Sequence, residues 1–250
     1  MVWNRIFGRA DESRGPKPRL SPGIRIYAIG DVHGRADLLE RVLAKIDVDA
    51  REHPDRRCLT VLLGDYVDRG PDSRGVIDLL VARSRTHEVI PLMGNHEVMM
   101  LRFLQNSSLW EAWAPLGGVQ TLLSYGLRPP ARVTPDEVAK LAETFAKALP
   151  ASHVAFLGRL PYSFENGDLL FVHAGIRPGV PLKRQELNDL IWIRDDFLNF
   201  KGSFGKLVVH GHTPVEEPEV LPNRINIDTG AYATGKLSCI ALQDETVAFL

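Results

Sequence analysis

Aspartate, histidine and asparagine recur in five short clusters: Gly30-Asp31-Val32-His33-Gly34, Gly64-Asp65-Tyr66-Val67-Asp68-Arg69-Gly70, Gly94-Asn95-His96-Glu97, His173-Ala174-Gly175 and His210-Gly211-His212. Carboxylate, imidazole and amide oxygen are donors suited to borderline divalent ions such as manganese, iron or zinc. The two cysteines, Cys58 and Cys239, are too few for a thiolate site or a disulfide framework. In an extended loop Asp31 and His33 point the same way, so both can reach one ion. Asp65 has two carboxylate oxygens and can bridge two ions about 3.5–4 Å apart, with Asn95, His173 and His212 on the second. His210 is ambiguous: it shares a side with His212 only where the backbone is extended, and a supporting position fits it as well as ligation.

A charge count points to phosphate as the group acted upon. Two divalent ions bring four positive charges, of which Asp31 and Asp65 remove two and a bridging hydroxide one. The surplus, with Arg69, attracts a phosphate dianion, and the ions lower the pKa of bound water towards ~7, giving a nucleophile at neutral pH. Any one cluster alone reads as a turn. Five in series, each following an apolar run, do not.

The apolar runs are the elements that must position these groups. Residues 24–29, 59–63, 88–92, 169–172 and 207–209 read as strands, and each runs into a cluster. In open α/β folds ligands bind beyond the carboxyl ends of strands. Helices are expected over residues 37–46, from the Pro71-Asp72-Ser73 start, over 96–104, and over 109–125 with a break at Gly117-Gly118. Thr134-Pro135-Asp136-Glu137 is a capping box with proline in the first turn. This helical middle carries no cluster and reads as an insertion that shapes a substrate groove. Residues 224–228, 236–242 and 246–250 read as strands of an antiparallel sheet completing a β-sandwich. The fold class expected is α/β, a central β-sandwich flanked by helices.

The chain has 250 residues, 44% hydrophobic and 24% charged, enough for a sizeable core. Residues 8–23 are polar and interrupted by Pro16, Pro18 and Pro22. Residues 1–23 are therefore expected to be a flexible arm, its basic residues Arg9, Arg14, Lys17 and Arg19 in solvent, and residues 24–250 a single catalytic domain. A net charge of −1 argues against a general nucleic-acid binder. No run approaches the roughly 20 apolar residues of a membrane span, and the amino terminus lacks the apolar core of a secretory signal, so a cytoplasmic location with no membrane partner is expected.

The first three clusters match, without a departure, the three sequence motifs of the PPP family of metallophosphoesterases, which holds the serine/threonine protein phosphatases and their bacterial and phage relatives. His173-Ala174-Gly175 and Gly211-His212-Thr213-Pro214 are similar to its bacterial branch. The resemblance spans residues 24–242 and implies the calcineurin-like fold. It implies that Asp31, His33 and Asp65 bind one metal and Asp65, Asn95, His173 and His212 the other, with manganese the expected ion. It implies that His96 protonates the leaving alkoxide, oriented by Asp68, and that Arg69 holds phosphate oxygens, with Arg194 in Trp192-Ile193-Arg194 as a further arginine. The implied reaction is direct attack of metal-bound hydroxide on phosphorus, with no phosphoenzyme. A phosphorylated protein or a small phosphate ester is the implied partner.

Three readings of the substrate compete. Phosphoserine or phosphothreonine in proteins comes first, because Val67-Asp68-Arg69-Gly70 and Glu97 are those of protein phosphatases. A nucleotide hydrolase resembling the symmetrical diadenosine tetraphosphatases is the alternative, and a broad small-molecule phosphatase shares the same site. A non-catalytic binder is disfavoured, since no ligand and no general acid is missing. The oligomeric state is not legible in the chain.

Overall fold

The computed structural model describes residues 18–129 and 134–250. In chain order the strands and helices are β1 (Ile24–Ile29), α1 (Ala36–Glu52), β2 (Arg57–Leu62), α2 (Ser73–Arg83), β3 (Val89–Pro91), α3 (Asn95–Gln105), α4 (Trp110–Trp113), α5 (Gly118–Ser124), α6 (Pro135–Ala148), α7 (Ala151–Leu157), β4 (Ser163–Asn166) and β5 (Leu169–Val172). There follow α8 (Leu187–Trp192), α9 (Asp195–Leu198), β6 (Leu207–His210), β7 (Glu219–Val220), β8 (Arg224–Asn226), α10 (Ala231–Thr234), β9 (Cys239–Gln243) and β10 (Thr246–Phe249).

The strands form two five-stranded sheets, ordered β10-β9-β1-β2-β3 and β4-β5-β6-β8-β7. Parallel pairing of β1 with β2 and β2 with β3 requires crossovers, which α1 and α2 supply. Alternation along β1 divides the core. Ile26 and Ala28 face the other sheet and meet Phe171, Val209 and Ile225, while Tyr27 and Ile29 join the helix-side cluster that includes Leu39, Ile46, Val76 and Leu80. With both faces covered, β1 is buried along almost its whole length, as β-branched and aromatic residues demand. Truncating a fully buried member such as Phe171 to alanine is expected to cost about 3–5 kcal/mol.

The α/β class and the helix-flanked sandwich are as expected, and several details differ. The carboxy-terminal strands do not make one antiparallel sheet. β8 pairs parallel with β6 in the second sheet, whereas β9 and β10 extend the first sheet antiparallel to β1 and to each other. Helix α1 runs six residues past the expected end, because its polar extension is tied down: Asp47 takes two bonds from Arg83, and Asp49 takes bonds from Arg25 and from the Tyr27 hydroxyl. Residues 109–125 break at Gly117 as expected, φ there being 112°, but the part before the break is the short α4 followed by a 3-10 turn around Pro115 rather than continuous α-helix. Strand β4 was not expected; its signal is Gly167-Asp168, the two-residue hairpin loop into β5, with Gly167 at a φ of 56°.

Of the expected arm, residues 1–17 lie outside the described residues. Residues 19–21 do not behave as an arm. Leu20 is buried between the sheets and its N–H donates to the Asp244 carbonyl, while the Arg19 carbonyl accepts from Asp168 and the Ser21 N–H donates to Asn166 Oδ1. A leucine flanked by free sheet-edge groups gains more from burial than from solvent. No described helix is long and apolar enough to cross a membrane.

Candidate metal centre

All five clusters lie at the carboxyl ends of parallel strands: residues 30–34 follow β1, 64–70 follow β2, 94–97 follow β3, 173–175 follow β5, and 210–212 close β6. The backbone there is contorted. Of six described non-glycine residues with left-handed φ, five are His33, Asp65, Asp68, Arg69 and His212. Such conformations persist only where surrounding structure over-determines them, and they gather at functional sites. Glycine is needed for close approach at Gly94 and Gly211, where an added Cβ would fall 2.2 Å from Asp65 Oδ1 and 2.0 Å from Asp31 Oδ1.

Asp65 is the hub. Its Oδ2 lies 3.4 Å from His33 Nε2 and 3.8 Å from His96 Nε2, and its Oδ1 lies 3.4 Å from His173 Nε2. Two groups of side chains present converging ligand atoms, His33 with Asp65 and His96, and Asp65 with His173 and His212. Backbone carbonyls set the tautomers. His33 Nδ1–H donates to Val67 O and His173 Nδ1–H to Leu63 O, each at 2.9 Å, so in both neutral rings the lone pair sits on Nε2 and faces Asp65. His173 Nε2 also faces Asn95 Oδ1 at 2.9 Å and His212 Nδ1 at 3.2 Å.

Asp31 lies beside these groups. Its Oδ2 accepts from the His212 N–H, while its Oδ1 is buried with no partner. Lone pairs turned on carboxylates, and an orphaned carboxylate oxygen, call for a cation, so the donor set fits divalent ions. Asp31, His33, Asp65, Asn95, His173 and His212 are thus brought together as residues that could hold them.

The titration of these groups follows from burial and their neighbours. Burial, then Asp228 and Asp65, push the Asp31 carboxyl well above the usual carboxylate range. Burial would raise Asp65 too, but His173, His96, His33 and His212 outweigh it and hold it low. Burial takes His33 down to about 3 and His212 down to about 2, and lowers His173, keeping these rings neutral and able to ligate.

His96 behaves differently. Its Nδ1–H donates to Asp68 Oδ2 at 2.7 Å. Burial disfavours its cation, but Asp65 and then the Asp68 bond prevail and raise its pKa. Asp68 is itself fixed from the helical middle region: Trp113 Nε1–H donates to Oδ2 at 2.9 Å and Thr121 Oγ1 to Oδ1 at 2.6 Å. The segment without clusters therefore supports this site through Asp68, and Trp113 is both a core ring stacked on Phe145 and a hydrogen-bond donor.

The arginines also converge. Arg69 donates from one nitrogen to His33 Nε2 at 3.0 Å and from the other to His96 Nε2 at 3.1 Å. Arg194, at the turn between α8 and α9, donates from Nε to His212 Nε2 at 3.1 Å. His210 stands apart. Its ring packs edge-on to Phe197, faces Arg224 and belongs to neither ligand group.

Glu97 ligates nothing. It accepts backbone N–H bonds from Gly94, Asp65, Tyr66 and Val67 and so locks the loop that carries Asp65. Asp228 and Tyr232 were not singled out from the chain. Asp228 is buried beside Asp31, its Oδ1 accepting from the Gly230 N–H, and Tyr232 lies edge-on to His33. For Asp228 the signal was the polar Asn226-Ile227-Asp228-Thr229 at a strand end.

The sequence profile of the calcineurin-like phosphoesterase family matches residues 24–239. The chain is 28% identical over 235 residues to an asymmetrical bis(5'-nucleosyl)-tetraphosphatase, PrpE of Oceanobacillus iheyensis, covering 86% of this chain and 87% of that one. It is 27% identical over 228 residues to serine/threonine-protein phosphatase 1 of Salmonella typhimurium, covering 87% and 92%. The fold is shared with a cold-active protein-tyrosine phosphatase of a psychrophilic Shewanella species, with a TM-score of 0.54 at 19% identity over 93% of this chain and 83% of that one.

Proposed function

The chain belongs to the calcineurin-like phosphoesterase family, and from that premise we propose that residues 24–250 form one catalytic domain hydrolysing phosphate monoesters of alcohols, with phosphoserine and phosphothreonine in proteins as the substrate class. Asp31, His33 and Asp65 would hold one divalent ion and Asp65, Asn95, His173 and His212 a second, manganese being the expected metal and iron or zinc compatible with the same donors. Metal bound there would supply positive charge and acidify a water for attack on phosphorus. Arg69 and Arg194 grip the phosphate oxygens. His96 gives its Nε2 proton to the departing oxygen, and Asp68 holds the ring in the required tautomer.

The observation that carries this reading is the 2.7 Å bond between His96 and Asp68, fixed in turn by Trp113 and Thr121. A serine or threonine alkoxide leaves poorly unless protonated, so an oriented, buried acid is worth its construction. A nucleoside polyphosphate departs as a stabilised anion and needs such an acid less.

A second reading, a nucleotide hydrolase, is favoured by one observation: the relatives of similar identity include dinucleoside tetraphosphatases, of the asymmetrical rather than the symmetrical kind. The test compares phosphate release by manganese-loaded protein from a phosphothreonine peptide with turnover of diadenosine tetraphosphate. A higher kcat/KM on the peptide supports the first reading. A higher value on the dinucleotide replaces it with the second.

A further inference from the structure

Tyr232 is the one large aromatic side chain left exposed beside the metal-ligand groups among the described residues, at 39% of its surface. It sits on α10, a single turn that is rigidly held. Gly230 and Gly235 bound the turn in the left-handed conformation, Thr234 Oγ1 donates to the Thr229 carbonyl, and Arg35 donates to the Ala231 carbonyl at 2.9 Å. An exposed ring on so fixed a turn loses little further entropy when something packs on it.

The position of the ring relative to the chemistry is specific. It stands edge-on to His33 with centroids 5.4 Å apart, and His33 stands edge-on to His96 at 4.6 Å. The Arg69 guanidinium lies 4.8 Å from the Tyr232 centroid. Tyr232 is therefore one ring away from the proposed acid and in contact with the arginine proposed to hold phosphate.

We propose that Tyr232 is a specificity-determining residue, a stacking platform for a planar aromatic ring carried on the leaving-group side of the substrate. The proposal rests on the phosphomonoesterase reading for its sense of direction. The chemistry recognised is a π-face, which a nucleobase or an aromatic side chain beside a phosphorylated residue supplies equally.

The test is equilibrium binding to the manganese-loaded full chain, in a His96→Asn background that slows turnover. AMP is compared with ribose 5-phosphate, which lacks only the base, and a phosphothreonine peptide with adjacent tryptophan is compared with the same peptide carrying alanine. With Tyr232 present the ring-bearing ligand of at least one pair should bind about fivefold to a hundredfold more tightly. Tyr232→Leu should bring that ratio close to one, and Tyr232→Phe should keep it. A response confined to the nucleotide pair identifies a nucleobase as the source of the ring, and one confined to the peptide pair an aromatic side chain. Ratios near one in both pairs, or ratios untouched by Tyr232→Leu, overturn the proposal. So does an equal loss for all four ligands, which would make Tyr232 only a prop for Arg69. Because the readout is binding, it is independent of whether any of these esters is turned over.

Discussion

Arg69 donates a 3.1 Å hydrogen bond to His96 Nε2, the same atom that would give a proton to the leaving group in the proposed reaction. With Nδ1–H committed to Asp68, Nε2 of the neutral ring is a lone pair and Arg69 fills it. The other guanidinium nitrogen fills the lone pair of His33 in the same way. An ion held at His33 and a proton held at His96 both require Arg69 to let go, which frees the guanidinium for phosphate. Arg69→Gln is therefore expected to tighten binding of the first metal by about tenfold, the worth of one charge-assisted hydrogen bond, while phosphate-ester turnover falls by about a hundredfold. Competition against a chelating dye measures the first and phosphate release the second. Weaker metal binding in the variant would contradict the competition.

His96→Asn separates protonation from everything else. Metal content should survive, because six other side chains hold the ions in this reading. Turnover of an alkyl phosphate should fall by about 10²–10⁴-fold, and turnover of an activated aryl phosphate by much less. Equal losses on the two esters would contradict the acid role.

The raised pKa of His96 gives a signed pH effect. Burial opposes the cation but Asp65 and Asp68 outweigh it, so the proton is present below the raised pKa and lost as pH climbs through it. Activity limited by this acid should fall on the alkaline side of that point. Asp68→Asn removes one of the groups that hold the proton, so the alkaline limb of the kcat–pH profile should move to lower pH. A limb that stays in place would assign it to another group.

Glu97→Gln tests the loop clamp. Both carboxylate oxygens accept backbone N–H bonds, and an amide would turn an NH2 towards donors. A loss of about 1–3 kcal/mol in denaturant unfolding of the metal-free protein is expected. Wild-type stability would mean that the loop holds itself.

The five ligand-bearing loops were legible in the chain because metal chemistry restricts residue type, and because each loop follows an apolar run that could only be a strand. Trp113 and Thr121 were not legible as partners of Asp68. They lie 45 and 53 residues away along the chain, on helices whose aromatic spacing carries the signal of a core. The ambiguity at His210 was physical: with a φ of 66° at His212 the backbone is not extended, so the two rings part. The direction of β8 was hidden for a related reason. Alternating apolar residues announce a strand with two faces but say nothing of its neighbour, and only the assembled sheet places β8 parallel to β6 and sends β9 to the opposite layer. Leu20 illustrates the limit of composition, since a proline-rich polar stretch can still deliver one apolar side chain to the core.

Sharing of Asp65 by two ions underlies every role proposed above. Its most direct measurement is metal stoichiometry by elemental analysis after equilibrium dialysis against manganese, for the wild type and for Asp65→Asn. Two ions per wild-type chain, with loss of both or of tight binding at both in the variant, is the expected result. Undiminished occupancy of two ions in Asp65→Asn, or a wild-type chain that binds none, would contradict it.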